Sequence, residues 1–326
     1  MMTSATLSRA LSQLQRAIGR QSARTEFRWM QHTLDNPPPA IPPSANTLEE
    51  MVNRRLSGEP LQYILGSQPF GPLNLAVRPP VLIPRPETED WTIRLASLLT
   101  PSPARPLKVL DLCTGSGCIP LLLCHLWPPG SAHATGVDVS PAAVRLATDN
   151  AALCGIPPPS LGPDAARGPP PAPALPQKNT FTALLADLTR PTFAHDPRLA
   201  PPYDLLTANP PYIPRAQYER LPASVRDFED VRALLGETPE CADGSTVADG
   251  RVPAADRAKG LGFYYRIAEL VGAHGLLRRG GGTLALEVGD GQAGDVVRIV
   301  GGRARVSEID VWRDPWGKAR VVFARA

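Results

Sequence analysis

Long apolar runs are missing from this chain. No uninterrupted hydrophobic stretch among its 326 residues approaches the roughly 18 that a membrane-spanning helix needs. Cysteine is scarce: five residues, at 113, 118, 124, 154 and 241, none in C-x-x-C spacing. That pattern argues against a zinc site or a disulfide framework and predicts reduced, mostly buried thiols in a reducing compartment. Charge of one sign is also lacking. Thirty-four basic residues face 31 acidic ones, and a net charge of +3 does not by itself indicate a nucleic-acid partner. Acids are missing altogether from the first 25 residues, which carry Arg9, Arg16, Arg20 and Arg24 and a helical repeat of Leu7, Leu11 and Leu14. An Arg-bearing, acid-free amphipathic start predicts a mitochondrial transit peptide over residues 1–22, and it lacks the apolar core of a secretory signal. The competing reading is the first helix of a small N-terminal domain.

What the chain does have begins with Asn209-Pro210-Pro211-Tyr212. These residues follow Tyr203-Asp204-Leu205-Leu206-Thr207-Ala208, which reads as a short buried strand. Two prolines stop that strand and remove two backbone donors. Pro211 also biases Pro210 toward an extended conformation. The Asn209 side chain and the neighbouring carbonyl are thereby held at a strand's C-terminal edge, where open α/β sheets bind ligands. Two fixed acceptors beside an aromatic face suit a planar NH2 group, as on a carboxamide or a nucleobase. An ordinary Asn-Pro turn would look the same in isolation.

A second motif supplies the context. Lys108 to Leu112 is a β-type run, Cys113-Thr114-Gly115-Ser116-Gly117 a glycine turn, and Cys118 to Trp127 a helix. Strand, glycine turn and helix open a nucleotide site in a doubly wound sheet. Gly115 and Gly117 allow close backbone approach. The third glycine of the dinucleotide fingerprint is lacking, because position 120 is Pro. A strand over 134–138 ends at Asp138, placed to bind a ribose diol or to cap the helix that starts at Ser140-Pro141. A strand over 183–186 ends at Asp187, placed for an adenine amino group or as a plain loop acid.

Asp111, Gly115, Gly117, Asp138, Asp187 and Asn209-Pro210-Pro211-Tyr212, in this order, resemble the class I S-adenosylmethionine-dependent methyltransferases. Arg54 to Gly66, Phe70-Gly71 and Val81-Leu82-Ile83-Pro84-Arg85-Pro86-Glu87-Thr88-Glu89 are similar to the linker and active-site entrance of the HemK/PrmC family. Those enzymes methylate the glutamine side-chain nitrogen in the Gly-Gly-Gln motif of peptide chain release factors. The resemblance implies an α/β, Rossmann-like, mostly parallel seven-stranded sheet with a small N-terminal helical domain. It implies S-adenosyl-L-methionine as cofactor, contacted by Asp111, Thr114, Gly115, Ser116, Gly117, Asp138, Asp187, Leu188 and Asn209. It implies substrate contacts from Asn209, Pro210, Pro211 and Tyr212, with Asn209, Pro210 and Tyr212 catalytic. A release factor is the implied partner of a monomeric enzyme, in mitochondria or otherwise in the cytoplasm, without membrane or direct nucleic-acid binding.

The expected division is a helical docking domain over 23–60, a linker and entrance over 61–93, and a catalytic domain over 94–326. In the first, Asn46 and Glu49 form a capping signal. Glu87, Thr88 and Glu89 are read as shaping the entrance or holding the cofactor's methionine end, or simply as an acidic helix start. Val225 to Glu229 echoes the family or is a surface helix. Two insertions, 157–179 with nine prolines and 236–259, are expected to be mobile surface loops. Two rival functions share parts of the pattern. One is methylation of an exocyclic adenine or guanine nitrogen in nucleic acid. The other is a non-catalytic partner that has kept the fold.

Overall fold

The computed structural model describes residues 4–37, 41, 44–159, 178–238 and 252–326. Its N-terminal unit is four helices: α1 (Ser4–Ile18), α2 (Arg20–Asp35), α3 (Leu48–Leu56) and α4 (Leu61–Leu65). Gly19, at φ 84°, separates the first two. Leu14, Met30, Met51 and Ile64 are fully buried in one shared apolar cluster. The helical unit therefore begins ahead of residue 23 and includes α4, which the sequence reading had placed in the linker. The cap of α3 is Thr47 and not Asn46. The Thr47 hydroxyl accepts from the Glu50 amide, and Glu50 Oε2 accepts from the Asn46 amide, so the whole signal sits one residue later. Arg55 ties α3 to α2 through Glu26 at 2.7 Å.

A short antiparallel hairpin, β1 (Ser67–Phe70) and β2 (Leu73–Ala76), leads into α5 (Pro86–Leu98). Pro86 occupies the first turn of α5, where a missing N–H costs nothing, and Glu87 and Glu89 complement the helix dipole there. Helix α5 already packs on the sheet, with Trp91 and Leu95 in its core, so the catalytic domain starts before residue 94.

The sheet alternates strands with helices: β3 (Leu107–Leu112), α6 (Cys118–Leu126), β4 (Ala132–Asp138), α7 (Pro141–Leu153), β5 (Thr180–Leu185) and β6 (Leu205–Ala208). Four short helices follow β6: α8 (Arg215–Tyr218), α9 (Ala223–Arg226), α10 (Val231–Leu234) and α11 (Ala254–Ala258). The chain closes with α12 (Gly262–Gly272), β7 (Thr283–Glu287), α13 (Ala293–Arg303), β8 (Glu308–Arg313) and β9 (Ala319–Arg325). Strand order is β5-β4-β3-β6-β7-β9-β8. The first five strands are parallel, and β9 runs antiparallel to both neighbours. This is the expected class I methyltransferase sheet, with its order reversing between β3 and β6. Two apolar clusters cover its faces, which is why the central strands read as continuous apolar runs.

The strand register fixes what reaches the ligand edge. Leu184, Val137, Leu112, Ala208 and Leu286 form one row across β5-β4-β3-β6-β7. The next residue on each strand is Leu185, Asp138, Cys113, Asn209 and Glu287. Four of the five carry polar or thiol side chains to a single edge.

The greater part of the 157–179 insertion, like Cys241 and most of the 236–259 insertion, lies outside the described residues. The ends of both are ordered parts of the domain. Asn179 is buried; its Oδ1 accepts from the amides of Ser131 and Ala132 at 2.8 and 2.9 Å, and its Nδ2 donates to the carbonyls of Cys124 and Trp127. Gly236 and Gly260 touch so closely that a Cβ on Gly236 would lie 2.4 Å from the Gly260 carbonyl. Glu229 is also buried and pairs with Arg85, so the segment from Val225 to Glu229 is anchored to the entrance block and is not a plain surface helix. Asn179→Ala would remove a partner from the Ala132 amide and from the Cys124 and Trp127 carbonyls, and would leave the Ser131 amide only its 3.2 Å bond to the Pro128 carbonyl. Urea unfolding should show a loss of about 3 kcal/mol with an unchanged m-value.

Candidate active site

The C-terminal edge of the parallel strands opens into a cavity of about 1000 Å³, at the upper end of the range typical of small-molecule sites. Of the residues singled out in the sequence, Gly115, Asp138, Asp187, Leu188, Asn209 and Pro211 line it. Cys113 joins them in a left-handed conformation at φ 58°. Burial raises its thiol pKa well above the ordinary value, with nearby carboxylates adding to the effect. A protonated thiol is a wall, not a nucleophile.

Asp138 joins the glycine turn to the next helix. One oxygen accepts from the Gly115 amide at 2.9 Å, the other from the Ser140 amide at 2.8 Å. Asp138 thus braces the glycine turn against the start of α7. Each carboxylate oxygen retains a further lone pair for a ligand diol. Burial raises its pKa, opposed by those two amides. Gly115 has φ 55°, and a Cβ built there meets nothing within 4 Å, so the turn faces open space. Asp187 forms a local turn with Thr189, its Oδ1 accepting from that residue's amide and hydroxyl. Arg266, fully buried, donates to the Leu188 and Arg190 carbonyls and holds this loop against α12.

Other predicted residues stand behind the wall. Asp111 is fully buried and accepts from the Thr207 hydroxyl at 2.6 Å. Asp111 Oδ2 and the neighbouring Thr114 hydroxyl meet no full hydrogen bond from the described residues. Ser116 turns its carbonyl to Asn150 on α7, and Gly117 permits close packing there: its Cβ would sit 3.2 Å from that of Ala147. These two shape the turn from beneath. Pro210 is buried next to the cavity wall.

The Asn209–Tyr212 motif rests on a buried carboxylate that sequence reasoning missed. Glu287 Oε2, at the end of β7, accepts from Thr88 Oγ1 at 2.6 Å and from Trp91 Nε1 at 2.8 Å. Tyr212 donates its hydroxyl to Oε1 at 3.4 Å, and Asn209 Nδ2 donates to Thr88 Oγ1 at 3.3 Å. Burial raises the Glu287 pKa, opposed by Thr88 and Trp91. Burial and Glu287 together push the Tyr212 phenol upward, so it stays protonated at neutral pH. An acid closing a strand was the signal used for Asp138 and Asp187. The same signal, applied to β7, would have found Glu287. Val139, Val231 and Phe263 also line the cavity, and their sequence neighbourhoods carry no motif.

The residues fit S-adenosylmethionine. Asp138 offers acceptors to a diol, Leu188 and Val139 an apolar slot beside Asp187, and Gly115 an open turn. The unsatisfied Asp111 oxygen and Thr114 hydroxyl lie directly beneath.

Asp111 carries a testable pH signature. Burial raises its pKa from 3.8 to about 7, opposed first by the Thr207 hydroxyl and then by Thr114, and raised further by the charge of Asp138. A carboxyl raised in the folded state favours folding while protonated. Its contribution is present below about pH 4 and is lost as pH rises through about 7. Asp111→Asn keeps the neutral form at every pH. The ligand-free variant should therefore gain stability over the ligand-free wild type as pH rises from 5 to 8, measured by urea unfolding. Parallel stability curves would remove this account of Asp111.

The family described as PrmC N-terminal domain matches residues 6–66, the helical unit with α1 included. The release factor glutamine methyltransferase of Moorella thermoacetica is 35% identical over 263 residues, covering 80% of this chain and 74% of that one. The protein of the same name from Thermodesulfovibrio yellowstonii is 30% identical over 282 residues, covering 86% and 81%. The mitochondrial MRF1 N(5)-glutamine methyltransferase MTQ1 of Saccharomyces cerevisiae is 33% identical over 228 residues, covering 68% and 61%. With the cavity, the glycine turn and the Asn-Pro-Pro-Tyr edge in place, these similarities establish that the chain belongs to the release factor glutamine methyltransferase family.

Proposed function

We propose that this protein methylates the side-chain nitrogen of the glutamine in the Gly-Gly-Gln motif of a peptide chain release factor, using S-adenosylmethionine. The observation that carries the reading is Asn209 at the edge of the cavity, with Thr88 and Glu287 behind it. When bound, the cofactor supplies an already electrophilic sulfonium methyl. Asp138 would hold its ribose, Asp187 and Leu188 its adenine, and the turn from Thr114 to Gly117 above Asp111 its methionine end.

A carboxamide nitrogen is a poor nucleophile because its lone pair is delocalised. The protein's task is therefore positioning and polarisation. The Asn209 oxygen and the Pro210 carbonyl accept the two N–H bonds of the substrate amide and fix its plane. They stabilise the positive charge that grows on nitrogen. Tyr212 packs beside the site and excludes water. Its protonated phenol, already donating to Glu287, does not serve as the base. The surplus proton leaves to water after transfer.

The substrate belongs to translation termination, in keeping with the names of the bacterial and yeast relatives. We place the enzyme in mitochondria, acting as a monomer without direct nucleic-acid contacts. The yeast relative's name and the arginines of α1 and α2 support the location; a net charge of +3 suits a protein substrate.

Labelled methyl transfer to a purified mitochondrial release factor tests the reading, beside its Gly-Gly-Ala mutant. Label should appear on the wild-type factor alone. Cofactor binding with label on neither would overturn it in favour of another substrate. Asn209→Ala should lower turnover at least ~10-fold while binding of S-adenosylmethionine survives, because a lost transition-state acceptor typically costs a few kcal/mol. Near-wild-type turnover would show that Asn209 is not the acceptor.

A further inference from the structure

An asparagine amide is useful here only one way round. Turned with its oxygen to the substrate, it accepts an N–H; flipped, it presents two donors to another donor. The Asn209 backbone is fixed by the strand end and Pro210, which leaves the amide plane to be set by something else.

We propose that Thr88 and Glu287 form a donor relay that locks the Asn209 amide with its oxygen toward the cavity, making both of them positioning residues for methyl transfer. This rests on the function proposed above.

The direction of each hydrogen bond follows from its partners. The indole N–H of Trp91 can only donate. It meets Glu287 Oε2 at 2.8 Å, and with two short partners on Oε2 the relay takes that oxygen as a pure acceptor, the carboxyl being ionised or carrying any proton on Oε1. The Thr88 hydroxyl lies 2.6 Å from the same oxygen and has a single proton to give. That proton goes to Glu287. The Thr88 oxygen then has lone pairs alone to offer its other neighbour, Asn209, at 3.3 Å. The Asn209 NH2 satisfies it, while a flipped amide would set oxygen against oxygen. The asparagine oxygen is left for the cavity that Asn209 lines. Thr88, Trp91 and Glu287 are 1%, 2% and 2% exposed, so solvent is not positioned to relieve a wrong orientation. The Tyr212 hydroxyl occupies the second Glu287 oxygen at 3.4 Å.

Thr88 lies in α5, Asn209 just after β6 and Glu287 at the end of β7, so the relay also ties the entrance block to the strand that carries the motif. This gives Thr88 a place in the motif distinct from a helix start.

The test uses the full chain as Thr88→Val, which removes the hydroxyl at nearly constant volume, and Thr88→Ser, which restores it. Two readouts are taken. On the release factor, Thr88→Val should lower kcat about 10-fold with KM and cofactor affinity within about two-fold, and Thr88→Ser should recover most of the loss. In nitrogen-15 spectra of the ligand-free protein, the Asn209 side-chain amide is identified by its disappearance in Asn209→Ala. It should exchange slowly with water in the wild type and in Thr88→Ser, and at least ~10-fold faster in Thr88→Val. Wild-type kcat in Thr88→Val, unchanged amide exchange in that variant, or a serine variant no better than valine would each overturn the relay. If the wild-type chain leaves the factor unlabelled, the proposed substrate falls, and the amide exchange still decides the relay.

Discussion

The site depends on the register of five parallel strands. Val109 pairs with Leu205, and Leu205 in turn with Thr283. From that alignment, β3, β6 and β7 run out together and deliver Cys113, Asn209 and Glu287 to the same edge. Strand β4 adds Asp138 to the same row. Side chains alternate faces along a strand, so a slip of one residue would send Asn209 to the wrong side and bury a different set. The apolar clusters on both faces make such a slip expensive. The chemistry is polar, but its placement is enforced by leucine, valine and alanine several residues away.

Behind that edge, backbone is packed against backbone to an unusual degree. A Cβ on Gly260 would fall 2.4 Å from the Tyr212 carbonyl, and Gly260 has φ 75°. Gln292 reaches the same carbonyl at 2.8 Å, while its oxygen accepts from the Gly289 amide at 2.9 Å. The proline pair stiffens the motif from within, and these contacts clamp it from outside. Arg85 and Glu229 do the corresponding work at the entrance, where a nearly buried carboxylate meets a guanidinium. Such an ion pair is costly to break from one side, because the remaining charge would be stranded.

Much of this was legible in the sequence, for a physical reason. Glycine turns, strand-ending acids and the Asn-Pro-Pro-Tyr block leave local marks, since each solves a backbone problem within a few residues. The mostly parallel seven-stranded sheet was implied by the family resemblance that these blocks carry. What escaped the sequence was interaction across long separations. Glu287 serves Thr88 from 199 residues away, and nothing local to either residue marks the other as its partner. Asn179 sits at the end of a proline-rich run and reads as loop, yet it bonds four backbone groups. Asp111 was read as a ligand contact, and it lies one layer below the cavity, bonded to Thr207. The basic start of the chain was left with two readings, transit peptide or first helix of the small domain, because basic amphipathic helices look alike whether they pack or are recognised elsewhere; here α1 packs Ala10 and Leu14 into the helical unit.

The contact between Gly236 and Gly260 has a consequence for how such a protein can change. A segment whose two ends are pinned at one point is a closed excursion from the domain. Closing a longer loop costs only about 0.6 kcal/mol for each doubling of its length. The returning end cannot vary as freely, because Lys259 shares the Gln292 amide with the Tyr212 carbonyl and Asp256 bonds Tyr265 and Arg298. Val252, Ala254, Arg257 and Ala258, on the returning end of that excursion, line the cavity, so changes of length are tolerated only where they leave these residues in place.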